Sequence, residues 1–381
     1  MFWQREFLRD AVSMTFAQTY ELDLPKTGQL GSLVLYIRSN QNGYPCLGAV
    51  PKWRLIDYIS KIEVIGDGSE VIKSYDGLEA LAGAFYDDFR EPMSMWRQYS
   101  STPQRQCIPI HFGRGFLDEL YGLDLSRFNQ VTLKITNDAS STYWTTDITL
   151  TVIAYWLREG PGSFAGYFRE ELWKQWACVA GAIEYTELPV ALPIRRILLE
   201  ARPGRTTTTC KNTAYMRDLM SDIDFTFKTG QIRVFKGSLE VLGHLSTMEM
   251  PARIETRGAI DRTAGLGFEV GVGYCQQNIG AWGVDADSIT SVLGNLHADI
   301  QESAQEIGYR TANGQMQWSV RGHAYMHCTP LYYARKPDLS DILDPKALDV
   351  VKVDITTLAG TTVSGTDRVA RNGIILSRLV A

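Results

Sequence analysis

Five histidines are the natural place to look for chemistry, at positions 111, 244, 297, 323 and 327. None forms the His-x-His pair with which a metal-binding β-barrel begins its ligand set. The nearest approach is His323-Ala324-Tyr325-Met326-His327-Cys328. On a single strand those two imidazoles share a face but lie about 13 Å apart, too far to share one ion. Six cysteines (46, 107, 178, 210, 275 and 328) show no Cys-x-x-Cys spacing, which argues for free thiols and against a zinc knuckle or a disulfide scaffold. Gly265-Leu266-Gly267 with Gly271-Val272-Gly273 lacks the Gly-Lys-Ser/Thr ending of a phosphate loop. A Ser-His-Asp set can still assemble in space, although no Gly-x-Ser-x-Gly elbow occurs. Asp87, Asp88 and Glu91 are available as a carboxylate pair, but read better as a solvated helix face. Trp53, Trp144 and Trp156 suit either a sugar platform or a core. Arg195-Arg196 is too small a cluster for a nucleic-acid site, and Thr206 to Thr209 reads as a loop. The expectation is therefore no catalytic residue, no cofactor-binding residue, no metal ligand and no cofactor.

The bulk properties agree with a soluble globular chain, not a disordered one. Its 381 residues suffice for two ordinary domains, with 45% hydrophobic and 21% charged residues. A net charge of −5 gives no basic stripe for nucleic acid. No run approaches the apolar length of a membrane span, and the first residues do not resemble a signal peptide.

The elements that would position any site repeat. Leu123-Asp124 leads to Val131-Thr132-Leu133-Lys134-Ile135-Thr136, and Leu343-Asp344 leads to Val351-Lys352-Val353-Asp354-Ile355-Thr356. Upstream lie Cys107-Ile108-Pro109-Ile110-His111-Phe112 and Cys328-Thr329-Pro330-Leu331-Tyr332-Tyr333. Leu24-Pro25 and Leu188-Pro189 form a third pair, each read as opening a strand. The leading echoes are about 164 residues apart and the trailing ones about 220, so the second half carries roughly 56 extra residues.

Alternating patterns predict strands over 32–38, 55–65, 70–73, 108–112, 131–135, 148–157, 192–199, 223–227, 232–235 and 239–242. Helical spacing appears at Leu78, Leu81, Ala82, Phe85 and Phe89, and again at Ile289, Val292, Leu293, Leu296 and Ile300. Residues 3–18 read as an amphipathic terminal helix, 116–120 as a helical turn, and the aromatic run Phe164 to Trp176 as helix-like. Gly160-Pro161-Gly162-Ser163 marks the break between halves. These signals predict a mainly β chain of two tandem antiparallel units, each a sandwich or jelly roll; the reading taken is two eight-stranded jelly rolls (a double jelly roll) with short helices in the loops. The divisions are an arm or helix over 1–18, a first roll over 19–159 and a second roll over 160–381, with a loop or tower insertion over about 243–311.

Three stretches carry a family resemblance. They are Ile59-Ser60-Lys61-Ile62-Glu63-Val64-Ile65-Gly66-Asp67-Gly68 with its following helix, Pro109-Ile110-His111-Phe112-Gly113, and the strand passage Leu123 to Thr136. With the tandem pattern, the chain resembles the double jelly-roll major capsid proteins of tailless icosahedral viruses, often membrane-containing, from phages to large eukaryotic viruses. The resemblance implies a structural virion protein that is not an enzyme. It implies homotrimers with a pseudo-hexagonal outline that tile an icosahedral shell. Implied partners are other copies, penton and minor capsid proteins and an internal membrane, with no sequence-specific nucleic-acid binding. It implies synthesis in the host cytoplasm, an inward-facing arm over 1–18 and an outward tower over 243–311. The alternatives are a two-sandwich carbohydrate-binding or spike protein, and a double jelly-roll glycan hydrolase.

Overall fold

The computed structural model describes every residue except 41–53, 96, 99–102, 143, 160–162, 205–213, 215, 250–253, 263–267, 270–271, 274–279, 284–305, 308–313, 335, 337 and 366–367. The described residues form two compact units: 1–40, 54–172 and 377–381 in unit 1, and 173–376 in unit 2.

Unit 1 is built on β1 (Phe2–Met14), β2 (Thr19–Asp23), β3 (Gln29–Asn40), β4 (Ile59–Gly66), β5 (Glu70–Tyr75), β6 (Pro103–His111), β7 (Val131–Asn137) and β8 (Ile148–Arg158). One sheet runs β1-β8-β3-β6 and the other runs β2-β7-β4-β5. The chain thus alternates between two sheets, with four strands of each in the jelly-roll winding; the first sheet continues from β6 to Ser94–Met95 and the second continues past β5. The winding follows from alternation. In β7, Val131, Leu133 and Ile135 are buried while Thr132, Lys134 and Thr136 are half-buried, so one face enters the core. Asp67 and Gly68, at φ 49° and 75°, make the turn that joins β4 to β5.

The helix α1 (Gly77–Asp88) follows β5. Asp76 Oδ1 accepts from the Glu79 N–H at 2.9 Å, and Glu79 Oε2 accepts from the Asp76 N–H at 2.8 Å. This capping box fixes where the helix starts. All ten residues from Gly77 to Tyr86 are buried.

The second winding comprises β9 (Tyr167–Ala177), β10 (Ile183–Glu187), β11 (Ile194–Arg202), β12 (Asp222–Phe227), β13 (Ile232–Gly237), β14 (Ile254–Arg262), β15 (Gly314–Tyr325), β16 (Cys328–Tyr333), β17 (Val351–Thr356) and β18 (Arg371–Val380). Short helices are α2 (Met216–Leu219), α3 (Leu239–Glu249) and α4 (Pro345–Leu348). Strand order β9-β18-β11-β16 repeats β1-β8-β3-β6, and β10-β17-β12-β13 repeats β2-β7-β4-β5. The antiparallel pair β14–β15 is additional to the eight-strand pattern.

The sequence echoes occupy equivalent places. Asp124 and Asp344 each cap a short helical segment, accepting from the N–H of Ser126 at 3.0 Å and of Lys346 at 3.1 Å. The Leu24 N–H donates to the Val131 carbonyl at 2.8 Å, and the Leu188 N–H donates to the Val351 carbonyl at 2.9 Å. Leu-Pro therefore ends the second strand of each roll instead of opening the third. Pro109 and Pro330 lie in β6 and β16, opposite Val34 and Leu198.

Five further expectations are corrected. Residues 2–14 form β1, not a helical arm, and pair antiparallel with β8. The run Tyr167–Ala177 is the strand β9, and Leu239–Glu249 is a helix where a strand was expected. Residues 55–58 form a 3-10 turn, so β4 begins at Ile59. The segment 116–120 is an irregular loop, with Leu117 at φ 63°. The break at 160–162, the loop 206–209, the helix expected over 289–300 and most of the insertion 243–311 lie outside the described residues.

Candidate functional site

The fold does assemble a Ser-His-Asp set. Ser32 Oγ in β3 lies 3.0 Å from His111 Nδ1 at the end of β6. His111 Nε2 lies 3.0 Å from Asp88 Oδ2, at the last residue of α1. Asp88 Oδ1 also accepts from the Phe116 N–H at 2.8 Å. Burial opposes the charge on Asp88, but the His111 contact, the Phe116 N–H and nearby Arg90 outweigh it and hold the carboxyl below its usual range. Ser32 is fully buried and His111 nearly so. A nucleophile with no route to substrate cannot act as one. The set is a clamp joining α1, β3, β6 and the loop after β6. The carboxylate that looked like part of a solvated face is its acidic end.

The remaining candidates disperse. His327 sits in the tight turn between β15 and β16, at φ 68° and fully buried, so His323 and His327 do not share one strand. His244 is exposed on α3, and His297 lies outside the described residues. Trp144 and Trp156 are buried to 1% exposure and cannot present a sugar platform; Trp144 meets Tyr58 edge-on at 5.6 Å. Trp53 lies outside the described residues. Cys107, Cys178 and Cys328 are free thiols. Burial pushes the Cys178 thiol up to about 12, against a hydrogen bond from Thr357, which leaves it an unreactive neutral group. Arg195 and Arg196 are buried in β11, so they offer no basic surface.

What unit 1 does build is a charged seam along β5. The first half of β9 pairs parallel with β5 at Lys73–Glu170 and Ser74–Glu171. Lys73 Nζ reaches Glu170 Oε2 at 2.9 Å, both side chains buried, and lies 5.6 Å from the centre of the Phe112 ring. Arg378 pairs with Glu171, and the Tyr167 hydroxyl donates to Glu70 Oε1 at 2.5 Å. Burial, with nearby Arg169, lowers Arg378 to about 10, still charged at neutral pH. Buried pairs of this kind add little net stability but penalise any other register, because a slipped strand would bury a lone charge. The aromatic and acidic run Tyr167 to Glu171 thus specifies where β9 docks. Sequence periodicity missed it because Glu170 points inward on a strand whose interior positions were expected to be apolar.

The edges of the sheets differ. β1 ends one sheet of unit 1, with Phe2 and Phe7 exposed; β13 ends a sheet of unit 2, with Ile232 and Val234 exposed. On α3, Leu239, Leu242 and Ser246 face inward while Val241, Leu245 and Met248 are exposed. Such arrangements suit association with another protein surface more than the binding of a small molecule. Among the described helices, none is long and apolar enough to cross a membrane.

No family model matches the sequence, and no curated protein matches it. Solved structures do match in fold. The crystal structure of the major capsid protein P2 from bacteriophage PM2 superposes with a TM-score of 0.52 at 9% identity, covering 100% of this chain and 98% of that one. The MCP of STIV, Sulfolobus Turreted Icosahedral Virus, gives a TM-score of 0.51 at 8% identity over 95% and 98%. VP54 of PBCV-1 gives 0.52 at 9% identity over 99% and 93%. Both windings are included in these superpositions. The chain has the mainly β double jelly-roll fold of these viral major capsid proteins.

Proposed function

We propose that this chain is a viral major capsid protein, a structural and non-enzymatic component of an icosahedral virion. The observation that carries the reading is the exact repetition of strand order, β1-β8-β3-β6 with β2-β7-β4-β5, in β9-β18-β11-β16 with β10-β17-β12-β13. Two similar wedges in one chain, repeated about a threefold axis, make six similar wedges. A homotrimer built this way closes its heterologous contacts into a near-hexagonal tile. The net charge of −5 and the burial of Ser32 and His111 in the Ser32–His111–Asp88 set support a shell role over a genome-binding or catalytic one. Neighbouring capsomers are the first partners, and penton, minor capsid and membrane contacts would use the remaining faces. The segment about 243–311, inserted after β13 in the second roll, is the natural outward tower. Negative-stain imaging of the purified protein tests the reading: hexagonal outlines are expected, and compact round or slender particles with no threefold symmetry would contradict it.

A further inference from the structure

The repeat assigns a partner to two sheet edges, on the reading that copies of this chain assemble. In unit 1 the outer edge of β5 is sealed by the first half of β9, paired parallel. β9 holds the same place in its winding that β1 holds in the first, and β13 holds the same place as β5. The match extends to detail. The β4–β5 ladder shifts register between Val64 and Ile65, leaving Ile72 as the extra residue; the β12–β13 ladder shifts between Phe225 and Thr226, leaving Val234. Ile72 is fully buried, whereas Val234 is 45% exposed beside Ile232 at 43%. α1, after β5, is buried almost throughout; α3, after β13, exposes Val241, Leu245 and Met248.

β1 is the complementary unsatisfied edge. It spans 13 residues, terminates its sheet, and exposes Phe2 at 52% and Phe7 at 58%. A long edge strand with apolar side chains in water is a template for another strand. We propose that β13 of one copy pairs in parallel with β1 of the next copy, repeating between chains the pairing that β5 and β9 make within one. Arg233 and Lys236 on β13 are exposed and pair with Asp222 and Asp224 of β12, and β1 offers them further acids in the exposed Glu6 and Asp10. The contact is heterologous, since each copy gives β13 on one side and β1 on the other, so it propagates until a ring closes.

The test uses Phe7→Asp and Val234→Asp, both at exposed positions, with circular dichroism and melting to verify folding. Should either fail to fold, Phe2→Asp and Ile232→Asp replace them. Light scattering of the unmodified chain should give a trimer, and each variant alone should give a monomer. An equimolar mixture retains one intact contact, between β13 of the Phe7→Asp copy and β1 of the Val234→Asp copy. It should therefore form a species of twice 42.7 kDa, about 85 kDa. A mixture that stays monomeric, or either variant alone still forming trimers, overturns the pairing while leaving the capsid reading intact. A monomeric unmodified chain overturns both.

Discussion

Asp118 holds the loop after β6 in place. Its carboxylate accepts from Arg114 Nε and Nη2, both at 2.6 Å, from the Arg114 N–H at 2.8 Å and from the Leu120 N–H at 3.0 Å. A side chain at Gly113 would place its Cβ 2.5 Å from the Tyr121 carbonyl oxygen and 2.6 Å from Asp118 Cβ, so only glycine fits the closed loop. Burial would raise the Asp118 pKa, but the Arg114 hydrogen bonds, the backbone N–H groups and the Arg114 charge together lower it. A depressed carboxylate contributes stability that is complete above its unfolded value near 4 and disappears as pH falls through the folded value. Asp88 acts in the same direction. Urea midpoints measured from neutral pH downward should therefore fall below about pH 4. Asp118→Asn should flatten part of that fall and cost about 1–3 kcal/mol at neutral pH. An unchanged acid slope in the variant would remove Asp118 from the account.

Among elements, β7 and β17 set the pattern for the whole chain. Both alternate buried with half-buried residues, and each pairs with strands on both sides. Ile135 is fully buried. Ile135→Asp places an unpaired charge in the sandwich, a cost of more than about 4 kcal/mol that should leave no soluble folded protein. Soluble folded variant on gel filtration and circular dichroism would contradict the strand assignment. These two strands were legible in sequence because each is half-buried and unbroken, so polarity tracks the pleat. β1 was not legible for the opposite reason. It is an edge strand with most residues exposed, and register shifts at Phe7/Arg9 and Arg9/Val12 spread its half-buried positions to Trp3, Leu8 and Val12. That spacing mimics a helix. In β9, inward Glu170 disguised the alternation until Lys73 accounted for it. α3 was misread because Leu239 to Leu242 is too short to show a period. Ser238, whose hydroxyl lies 3.3 Å from the Val241 N, was the available start signal. The Ser32–His111–Asp88 clamp was out of reach of spacing altogether, since its members come from β3, β6 and α1.

At the scale of the whole molecule, the duplicated winding is the property from which the proposed function descends. Echoes such as Leu-Asp and Leu-Pro were visible in sequence because both rolls use them for the same local tasks, a helix cap and the exit from the second strand. Other positions diverged where the two rolls meet different surroundings: Lys73 is buried in a seam, while its counterpart Phe235 is half-buried. Divergence of this kind is what the chain needs if β9 covers the edge of β5 and another copy covers that of β13. Light scattering of the purified chain during size exclusion measures this claim most directly. A mass of three times 42.7 kDa, about 128 kDa, is the predicted result, and a stable monomer across the concentration range would contradict it.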